Sequence, residues 1–306
     1  MDAIAQFGGG ALAAWRRLPG NARGMIWMTL AAASFAVHDA CAKSLGQTFG
    51  VQQIVFMRYV TSLVLVSLVL WWWVGFGKLA TAHPYMHAVR AIFTVVAQMF
   101  AYYALKHLPL ADVTGIAFTR PLFVIVFAVV LLRETAGWRR WAAACVGFAG
   151  MALMVRPSAA GIDPAAGAAI LSSLTFAATA IMVRRWSASE SAVTWIFYYL
   201  LAGAIMGIPG AALDWVPPAP EHLWIVLLIS VVATVAQLFT ILAFTAGEAS
   251  AVSPMDFTRL VYAAAIGFFI FAEVPAATTW IGAATIVAAV WYVARHEARR
   301  RRRTAP

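Results

Sequence analysis

The chain has 306 residues, of which 63% are hydrophobic and 11% are charged, and its mean hydropathy is +0.83. A soluble domain carries about 25% charged residues, so this composition excludes a water-soluble protein and predicts an integral membrane protein. The net charge of +10 comes from short loops and from five arginines at 299–303. We interpret it as a signal of membrane topology, and we expect no nucleic-acid partner.

Long apolar runs along the chain predict ten membrane-spanning helices, since about 20 apolar residues cross a bilayer as a helix. Proline, glycine or charged residues stand at the breaks between the runs. We therefore expect an all-α integral membrane protein with ten transmembrane helices. The predicted spans are residues 25–45, 53–75, 86–106, 110–132, 138–156, 164–184, 193–213, 222–245, 250–272 and 276–294.

The second half of the sequence repeats the first. A constant shift of 139 positions aligns residues 91–156 with 230–295 without a gap, and it places Phe118-Thr119-Arg120 on Phe257-Thr258-Arg259. The earlier spans match at a shift of 141, which pairs Phe35 with Phe176. Such self-similarity indicates an internal duplication, here of five helices. The expected organisation is an N-terminal segment, two repeats and a basic tail, at residues 1–23, 24–157, 163–295 and 296–306.

An odd number of spans in each repeat would insert the second copy upside down. With ten spans, one side of the membrane carries most of the lysines and arginines, and the other carries Lys43, Lys106 and Arg156. Positive residues stay on the cytoplasmic side. We therefore predict two inverted five-helix repeats with both termini in the cytoplasm.

The sequence contains no motif for catalysis or for metal binding. Its two cysteines, Cys41 and Cys145, lie inside apolar runs and form neither a metal-binding pattern nor a disulfide framework. No HExxH motif, nucleophile elbow or phosphate-binding loop occurs. We expect no enzymatic activity, no cofactor and no metal ion.

Several short motifs resemble those of one transporter family. Lys43 ends the first span, Arg58-Tyr59 opens the second, Leu108-Pro109-Leu110-Ala111 precedes the fourth, and the fourth holds Arg120-Pro121-Leu122 and ends in Leu132-Arg133-Glu134. Over residues 24–295 the chain resembles the EamA-type members of the drug/metabolite transporter superfamily. The resemblance implies movement of small organic metabolites across a bacterial inner membrane, often outward, without ATP hydrolysis. The second copy departs from the pattern, because Leu260 follows its arginine and Tyr199 aligns with Arg58.

Polar side chains in the middle of the spans predict a substrate cavity where helices three, four, eight and nine meet. An arginine in a bilayer is costly and normally faces a partner or a water-filled cavity. The candidate substrate-binding residues are Arg120, Arg259, Gln98, Gln237, Thr119, Asp256, Tyr262 and Phe118. The arginines would bind an anionic group such as a carboxylate, the glutamines would offer amide hydrogen bonds, and the aromatic rings would form a wall.

An alternative is that both arginines pair with Asp39 and Asp256 and only hold helices together. Ala117 stands where the second copy has Asp256, so we favour Arg120 as the substrate contact.

His38, Asp39 and Arg58 form a second candidate group, for proton coupling or gating. Asp39 beside His38 could exchange a proton during transport, because buried acids and histidines titrate readily. The alternative for this pair is a hydrogen-bonded helix contact. Arg58 is either a gate or attraction site, or an anchor that extends to the interface. Lys43 and Lys106 are interpreted as anchors of helix ends.

These features predict a secondary active transporter that moves small organic metabolites, amino acids or related compounds, by alternating access. We favour export across a bacterial inner membrane. One alternative is an uptake carrier for a ring-bearing metabolite such as riboflavin or S-adenosylmethionine. A second alternative is a membrane scaffold that transports nothing. The expected partners are a small-molecule substrate and the lipid bilayer, and the expected state is a monomer.

Overall fold

The computed structural model describes residues 18–74, 79, 81, 84–133, 137–157, 161–186 and 192–304. The first repeat contributes α1 (Gly20–Gly46), α2 (Val51–Val69, continued as a π-helix over Leu70–Val74), α3 (Pro84–His107), α4 (Leu110–Ala117 and Arg120–Leu132) and α5 (Trp138–Val155). The second contributes α6 (Pro164–Trp186), α7 (Ala192–Leu213), α8 (Pro220–Ala246), α9 (Ala249–Val252, Ser253–Phe257 and Thr258–Phe271) and α10 (Ala277–Thr304).

These ten helices have the dimensions of a membrane bundle. In the described part of the chain, nine of them are long and apolar enough to cross a bilayer. The tenth, α5, carries Arg139 and Arg140 in its first turn, which lowers its hydropathy, but it packs along α10. The predicted fold class is confirmed: the chain is an all-α membrane protein of ten helices in two inverted five-helix repeats.

The predicted segments at the two ends of the chain differ from the helix bounds. Helix α1 already begins at Gly20, within the predicted N-terminal segment, and residues 1–17 lie outside the described part. Helix α10 continues through the basic run to Thr304, because arginine is a good helix former; residues 305–306 are outside the described part. Glu134, which ends one of the family motifs, also lies outside it.

The two repeats are interleaved. Helix α1 packs most extensively on α8, and its symmetry mate α6 packs on α3, the mate of α8. Two further pairs consist of a helix and its own mate, α2 with α7 and α5 with α10, so these pairs lie on the pseudo-two-fold axis. The cavity was predicted where helices three, four, eight and nine meet, but α3 and α8 each pack mainly on another helix of the opposite repeat, α6 and α1.

Glycines allow the helices on the axis to approach closely. A Cβ atom added at Gly207 in α7 would lie 2.7 Å from the Cα atom of Phe56 in α2. One added at Gly150 in α5 would lie 2.8 Å from the carbonyl oxygen of Gly282 in α10. Small residues at such crossings bring backbones into contact, which is a main source of packing energy in a membrane.

Helices α4 and α9 are both interrupted at the repeated Phe-Thr-Arg sequence. Helix α4 breaks at Phe118 and Thr119, and α9 winds as a 3-10 turn up to Phe257. The Phe118 and Phe257 rings meet edge to face, with centroids 5.0 Å apart. Beyond the break, both helices end in the left-handed conformation at equivalent residues, Arg133 and Ala272, each with φ 54°.

The connections define two ends of the bundle. We call one the termini end: it holds the start of α1, the end of α10 and the α2–α3, α4–α5, α6–α7 and α8–α9 connections. We call the other the sealed end, because polar contacts join its helices. It holds the α1–α2, α3–α4, α5–α6, α7–α8 and α9–α10 connections.

Candidate functional site

A cavity of about 810 Å³ lies between the helices, and within the described chain every helix except α5 contributes to its lining. This volume is in the range of pockets that enclose a drug-sized ligand. The cavity brings together most of the residues that the sequence analysis singled out. Those in its lining are Arg120, Arg259, Gln98, Gln237, Asp256, Phe118, Asp39, His38 and Arg58.

Two candidate residues, Thr119 and Tyr262, are not part of the lining. Thr119 is fully buried, and its hydroxyl donates a 2.6 Å hydrogen bond to the carbonyl oxygen of Ile116. That bond satisfies the backbone at the break in α4. Tyr262 lies one turn beyond Arg259 and is half-buried outside the cavity. The structure therefore gives Thr119 a structural contact and places Tyr262 away from the cavity surface.

Arg259 is paired with an acid from the other repeat. Its guanidinium Nη2 forms an ion pair with Oδ2 of Asp39 in α1, and its planar group stacks on Phe35, 5.1 Å from the ring centroid. The paired carboxylate is thus Asp39, which is distant in sequence, and not Asp256 in the same helix. This contact fits the alternative interpretation of the arginines, in which an ion pair holds two helices together.

Asp39 also ends a chain of hydrogen-bonding groups. Its Oδ1 lies 3.0 Å from Nδ1 of His38, and Nε2 of His38 lies 3.2 Å from the hydroxyl of Tyr102. This geometry suits a neutral imidazole that donates from Nδ1 to Asp39 and accepts the Tyr102 proton at Nε2. All three side chains, His38, Asp39 and Tyr102, are buried. Their hydrogen bonds therefore link α1 to α3 beside the cavity.

Arg120 has the same aromatic platform as Arg259 but no acid. Its guanidinium lies 4.4 Å from the ring centroid of Phe176, the symmetry mate of Phe35. Within the described residues it makes no ion pair, and its Nε is buried without a hydrogen-bond partner. Arg120 therefore presents a cation to the cavity, and no carboxylate in the described part of the chain forms an ion pair with it.

The charged lining is positive overall. Four arginines and two aspartates face the cavity: Arg58, Arg90, Arg120, Arg259, Asp39 and Asp256. With His38 neutral, the cations exceed the anions by two. A concave surface lined by one sign of charge concentrates ions of the other sign, so this lining favours an anionic or zwitterionic ligand.

Arg58 lies deeper than its position in the sequence suggested. It is only 6% exposed, and its Nη1 donates a 3.1 Å hydrogen bond to the hydroxyl of Tyr199, its own symmetry mate in α7. The Tyr59 hydroxyl donates to the same oxygen at 2.8 Å. This burial rules out the interpretation of Arg58 as an anchor at the membrane interface. It faces inward because α2 crosses α7 on the symmetry axis.

A buried ion pair closes the sealed end. Nζ of Lys43 lies 2.6 Å from Oε1 of Glu273, and it also donates to the carbonyl oxygen of Leu105 at 3.2 Å. The other carboxylate oxygen of Glu273 accepts a 2.9 Å hydrogen bond from the Leu110 backbone N–H. These contacts tie α1, α3, α4 and α9 together. Lys43 is therefore a buried partner of Glu273, and its interpretation as a helix-end anchor is wrong.

Further polar contacts extend this closure. The Gln53 side chain at the start of α2 both donates to and accepts from the backbone of Val216, at 2.6 and 3.1 Å. Arg156 donates to Thr279 at 3.1 Å, and Thr279 donates to Asp112. These contacts join the start of α2 to the α7–α8 connection, and Arg156 and Asp112 to the start of α10.

The cavity extends away from the sealed end. On the sealed side its lining stops at Leu105, Val113 and Thr114, whereas towards the termini end it reaches Arg90 and Phe244. Helix α8 contributes exposed residues to this part, and Phe244 is 46% exposed. The symmetric glutamines differ accordingly, since Gln98 in α3 is buried and Gln237 in α8 is exposed. The structure is thus asymmetric about its pseudo-two-fold axis.

The sequence analysis missed several lining residues on α3. Arg90 and Thr94 line the cavity in one stripe with Gln98, at intervals of four residues. Residues four apart share a helix face, so the position of Gln98 could have identified both. The distribution of charges along the chain does not separate Arg90 from the basic residues of the cytoplasmic loops. The sequence alignment pairs Phe35 with Phe176, but it did not indicate that their rings contact the two cavity arginines.

Comparisons with known proteins agree with this architecture. The EamA-like transporter family matches residues 22–156 and 164–295. The chain is 28% identical to the S-adenosylmethionine uptake transporter of Rickettsia bellii over 88% of this chain and 92% of that protein. It is 29% identical to the riboflavin transporter of Rhizobium johnstonii, over 92% and 94% of the two chains. It is also 29% identical to the pseudopaline exporter of Pseudomonas aeruginosa, over 87% and 94%.

A solved crystal structure shares the fold. It superposes with a TM-score of 0.61 at 18% sequence identity, over 89% of this chain and 98% of the other. The fold of this chain is therefore also found in an experimental structure.

Proposed function

The chain belongs to the EamA-like transporter family, and from this premise we propose that it is a secondary active transporter that moves small organic metabolites by alternating access. The observation that carries the proposal is the position of Arg120. Its guanidinium, which has no carboxylate partner among the described residues, faces a large cavity in the middle of an inverted-repeat bundle. A scaffold protein would have no use for such a costly group.

The asymmetry between the two ends supports alternating access. Inverted repeats can exchange conformations, so that the end now joined by polar contacts opens while the other closes. The interleaved packing defines the units that would move: α1 with α8 and α9, and their mates α6 with α3 and α4. The axis pairs α2–α7 and α5–α10 would connect these units in both states.

We assign the protein to the bacterial inner membrane with both termini in the cytoplasm. The matching relatives are bacterial, and lysines and arginines are concentrated at the termini end. In this orientation the sealed end faces outward and the cavity extends towards the cytoplasm. A cargo made in the cell would enter from this side, which agrees with export.

Amino acids or related compounds are our first candidate cargo, since the positive lining suits a carboxylate. A second candidate function is uptake of a ring-bearing metabolite such as riboflavin or S-adenosylmethionine. It is favoured by the cavity volume of about 810 Å³ and by the Phe118 and Phe257 rings in the lining. The fold does not fix the direction, because alternating access is reversible and solute gradients decide the net flux.

Transport by purified protein in liposomes tests this proposal. Liposomes loaded with a mixture of the 20 standard amino acids would be assayed for efflux by mass spectrometry. Uptake of labelled riboflavin and S-adenosylmethionine would be measured in parallel. We expect at least one solute to cross faster than in protein-free liposomes, and we expect Arg120→Ala to abolish this flux. If no compound moves in either direction in these assays or in metabolite profiles of cells with and without the gene, the transporter assignment is refuted.

A further inference from the structure

The two halves of the cavity have matching arginine platforms but different acids. Arg259 stacks on Phe35 and pairs with Asp39, four residues further along α1. Arg120 stacks on Phe176, and the residue four positions further along α6 is Ala180. The shift of 141 positions that aligns the two phenylalanines also aligns Asp39 with Ala180. Residues four apart share a helix face, so Ala180 is the equivalent of the acid that neutralises Arg259.

A second acid is missing from the same half. Asp256 precedes Arg259 by three residues, and the equivalent residue before Arg120 is Ala117. Both Asp256 and Ala117 line the cavity. At the positions equivalent to Asp39 and Asp256, the other repeat therefore has alanines. Arg120 lies within electrostatic range of the Arg259 cation and of the Asp39 and Asp256 carboxylates, but within the described residues neither carboxylate forms an ion pair with it.

An arginine in this position requires an anion once water leaves the cavity. Removing water from an unpaired charge is costly, and the cost is reduced when the charge meets a counterion with good geometry. The planar guanidinium fits a carboxylate through two parallel hydrogen bonds. The small side chain of Ala117, which lines the cavity, leaves room beside it.

We infer that the cargo is an organic carboxylate, and that its carboxylate binds Arg120 at the place equivalent to that of Asp39 beside Arg259. This inference rests on the proposed transport function and specifies its substrate class. The apolar body of the cargo lies against the Phe118 and Phe257 rings, which meet at the pseudo-two-fold axis. Arg259, already neutralised, holds α9 to α1. The cargo thus binds in one half of a cavity built from two similar halves.

Restoring the missing acid tests this assignment. Ala117→Asp places a carboxylate in the cavity lining three residues before Arg120, and Ala180→Asp places one at the position equivalent to Asp39. Ala117→Asn and Ala180→Asn are the matched neutral controls. The probes are 3-phenylpropionate and its neutral amide, 3-phenylpropionamide, titrated into purified protein with thermal stabilisation as the readout. We expect the wild type to prefer the carboxylate, and at least one aspartate variant to raise its Kd about tenfold or more. The asparagine variants should remain close to wild type.

A labelling experiment without cargo provides an independent readout. Phenylglyoxal reacts with accessible guanidinium groups, and peptide mass spectrometry locates the modified arginine. We expect Arg120 to react faster than Arg259 in the wild type, and the aspartate variant that weakens binding to slow that reaction. If the aspartate variants do not fold, Arg120→Gln replaces them, and it should remove the preference for carboxylate over amide.

Several results would overturn the inference. They are equal binding of the carboxylate and the amide by the wild type, unchanged carboxylate binding in both folded aspartate variants, and equal labelling of the two arginines. Transport of neutral or cationic solutes alone in liposomes would also overturn it while leaving the transporter function intact. A protein that transports nothing, yet labels at Arg120 and binds 3-phenylpropionate there, would instead refute the transport function.

Discussion

Removing the Lys43 ammonium should release the sealed end. Lys43→Met keeps the length and apolar character of the side chain but leaves the Glu273 carboxylate with the Leu110 N–H as its remaining described hydrogen bond. The ion pair joins α1 to the end of α9, and both helices belong to one proposed moving unit. Its hydrogen bonds with Leu105 and Leu110 join this unit to α3 and α4, which belong to the other moving unit. The substitution should therefore destabilise the state in which these units meet at this end.

The size of the effect follows from burial. The Lys43 and Glu273 side chains are 8% and 17% exposed. Breaking a buried ion pair by removing one partner costs about 3–5 kcal/mol. We take the lower figure, about 3 kcal/mol, because Glu273 keeps one hydrogen bond and some contact with water. Since about 1.4 kcal/mol corresponds to a factor of ten, the open population should rise about 100-fold relative to the closed one.

Labelling of a single cysteine measures this shift. In a background of Cys41→Ser and Cys145→Ser, Val113→Cys places a thiol in the cavity lining next to the sealed end. A membrane-impermeant maleimide applied to intact cells reaches this thiol only when the sealed end opens outward. Lys43→Met should accelerate the labelling by up to about 100-fold, and Glu273→Gln should act in the same direction.

The control is a second lysine at the same end. Lys106 makes a 3.4 Å contact with the carbonyl oxygen of Phe49 and, within the described residues, no ion pair. Lys106→Met should leave the labelling rate unchanged, and exchanging the charges in Lys43→Glu with Glu273→Lys should partly restore it. If Lys43→Met has no effect, or only the effect of Lys106→Met, the ion pair does not hold this end closed.

Three further predictions concern packing, charge pairing and topology. Gly207→Ala should lower the midpoint of thermal unfolding, because overpacking costs about 1–3 kcal/mol. Gly167→Ala is the control and should leave the midpoint unchanged, because its added Cβ would meet nothing within 4 Å. Equal effects of the two substitutions would contradict this account. Asp39→Asn should destabilise the purified protein more than Asp256→Asn, because Asp39 is the ion-pair partner of Arg259; a larger loss in Asp256→Asn would show the reverse pairing. A fluorescent protein fused after the last residue should fluoresce and alkaline phosphatase fused there should be inactive, whereas the opposite pattern would refute a cytoplasmic C-terminus.

The sequence predicted the ten helices and the features linked to the duplication. Apolar runs of helical length report burial in lipid directly. The interruptions of α4 and α9 at the repeated Phe-Thr-Arg sequence were not predicted, because continuous spans were expected over residues 110–132 and 250–272. Symmetry also explains why Arg120 and Arg259 come to the same cavity, because equivalent residues lie at the same distance from the pseudo-two-fold axis. The absence of an acid at Ala117 could be read from the alignment alone.

The contacts between distant helices could not be read in this way. Lys43 and Glu273 are far apart in the chain, and each looks like an ordinary charge at a helix end. Arg58 seemed to lie near the membrane surface, since its sequence position gives a depth but not a direction. Only the crossing of α2 with α7 shows that it faces Tyr199. The choice of Asp39 over Asp256 as the partner of Arg259 likewise depends on how α1 packs on α9.

The interleaving of the repeats also affects how the chain is made. Helix α1 packs mainly on α8, and about 170 residues separate the end of the first from the start of the second. At about 5–20 residues per second, a ribosome needs roughly 10–35 s to synthesise that stretch. During this time the Asp39 carboxylate has entered the membrane without its partner, Arg259. The first five helices are therefore made before the helices that complete their packing, so the final contacts of α1 form only after α8 and α9 have been synthesised.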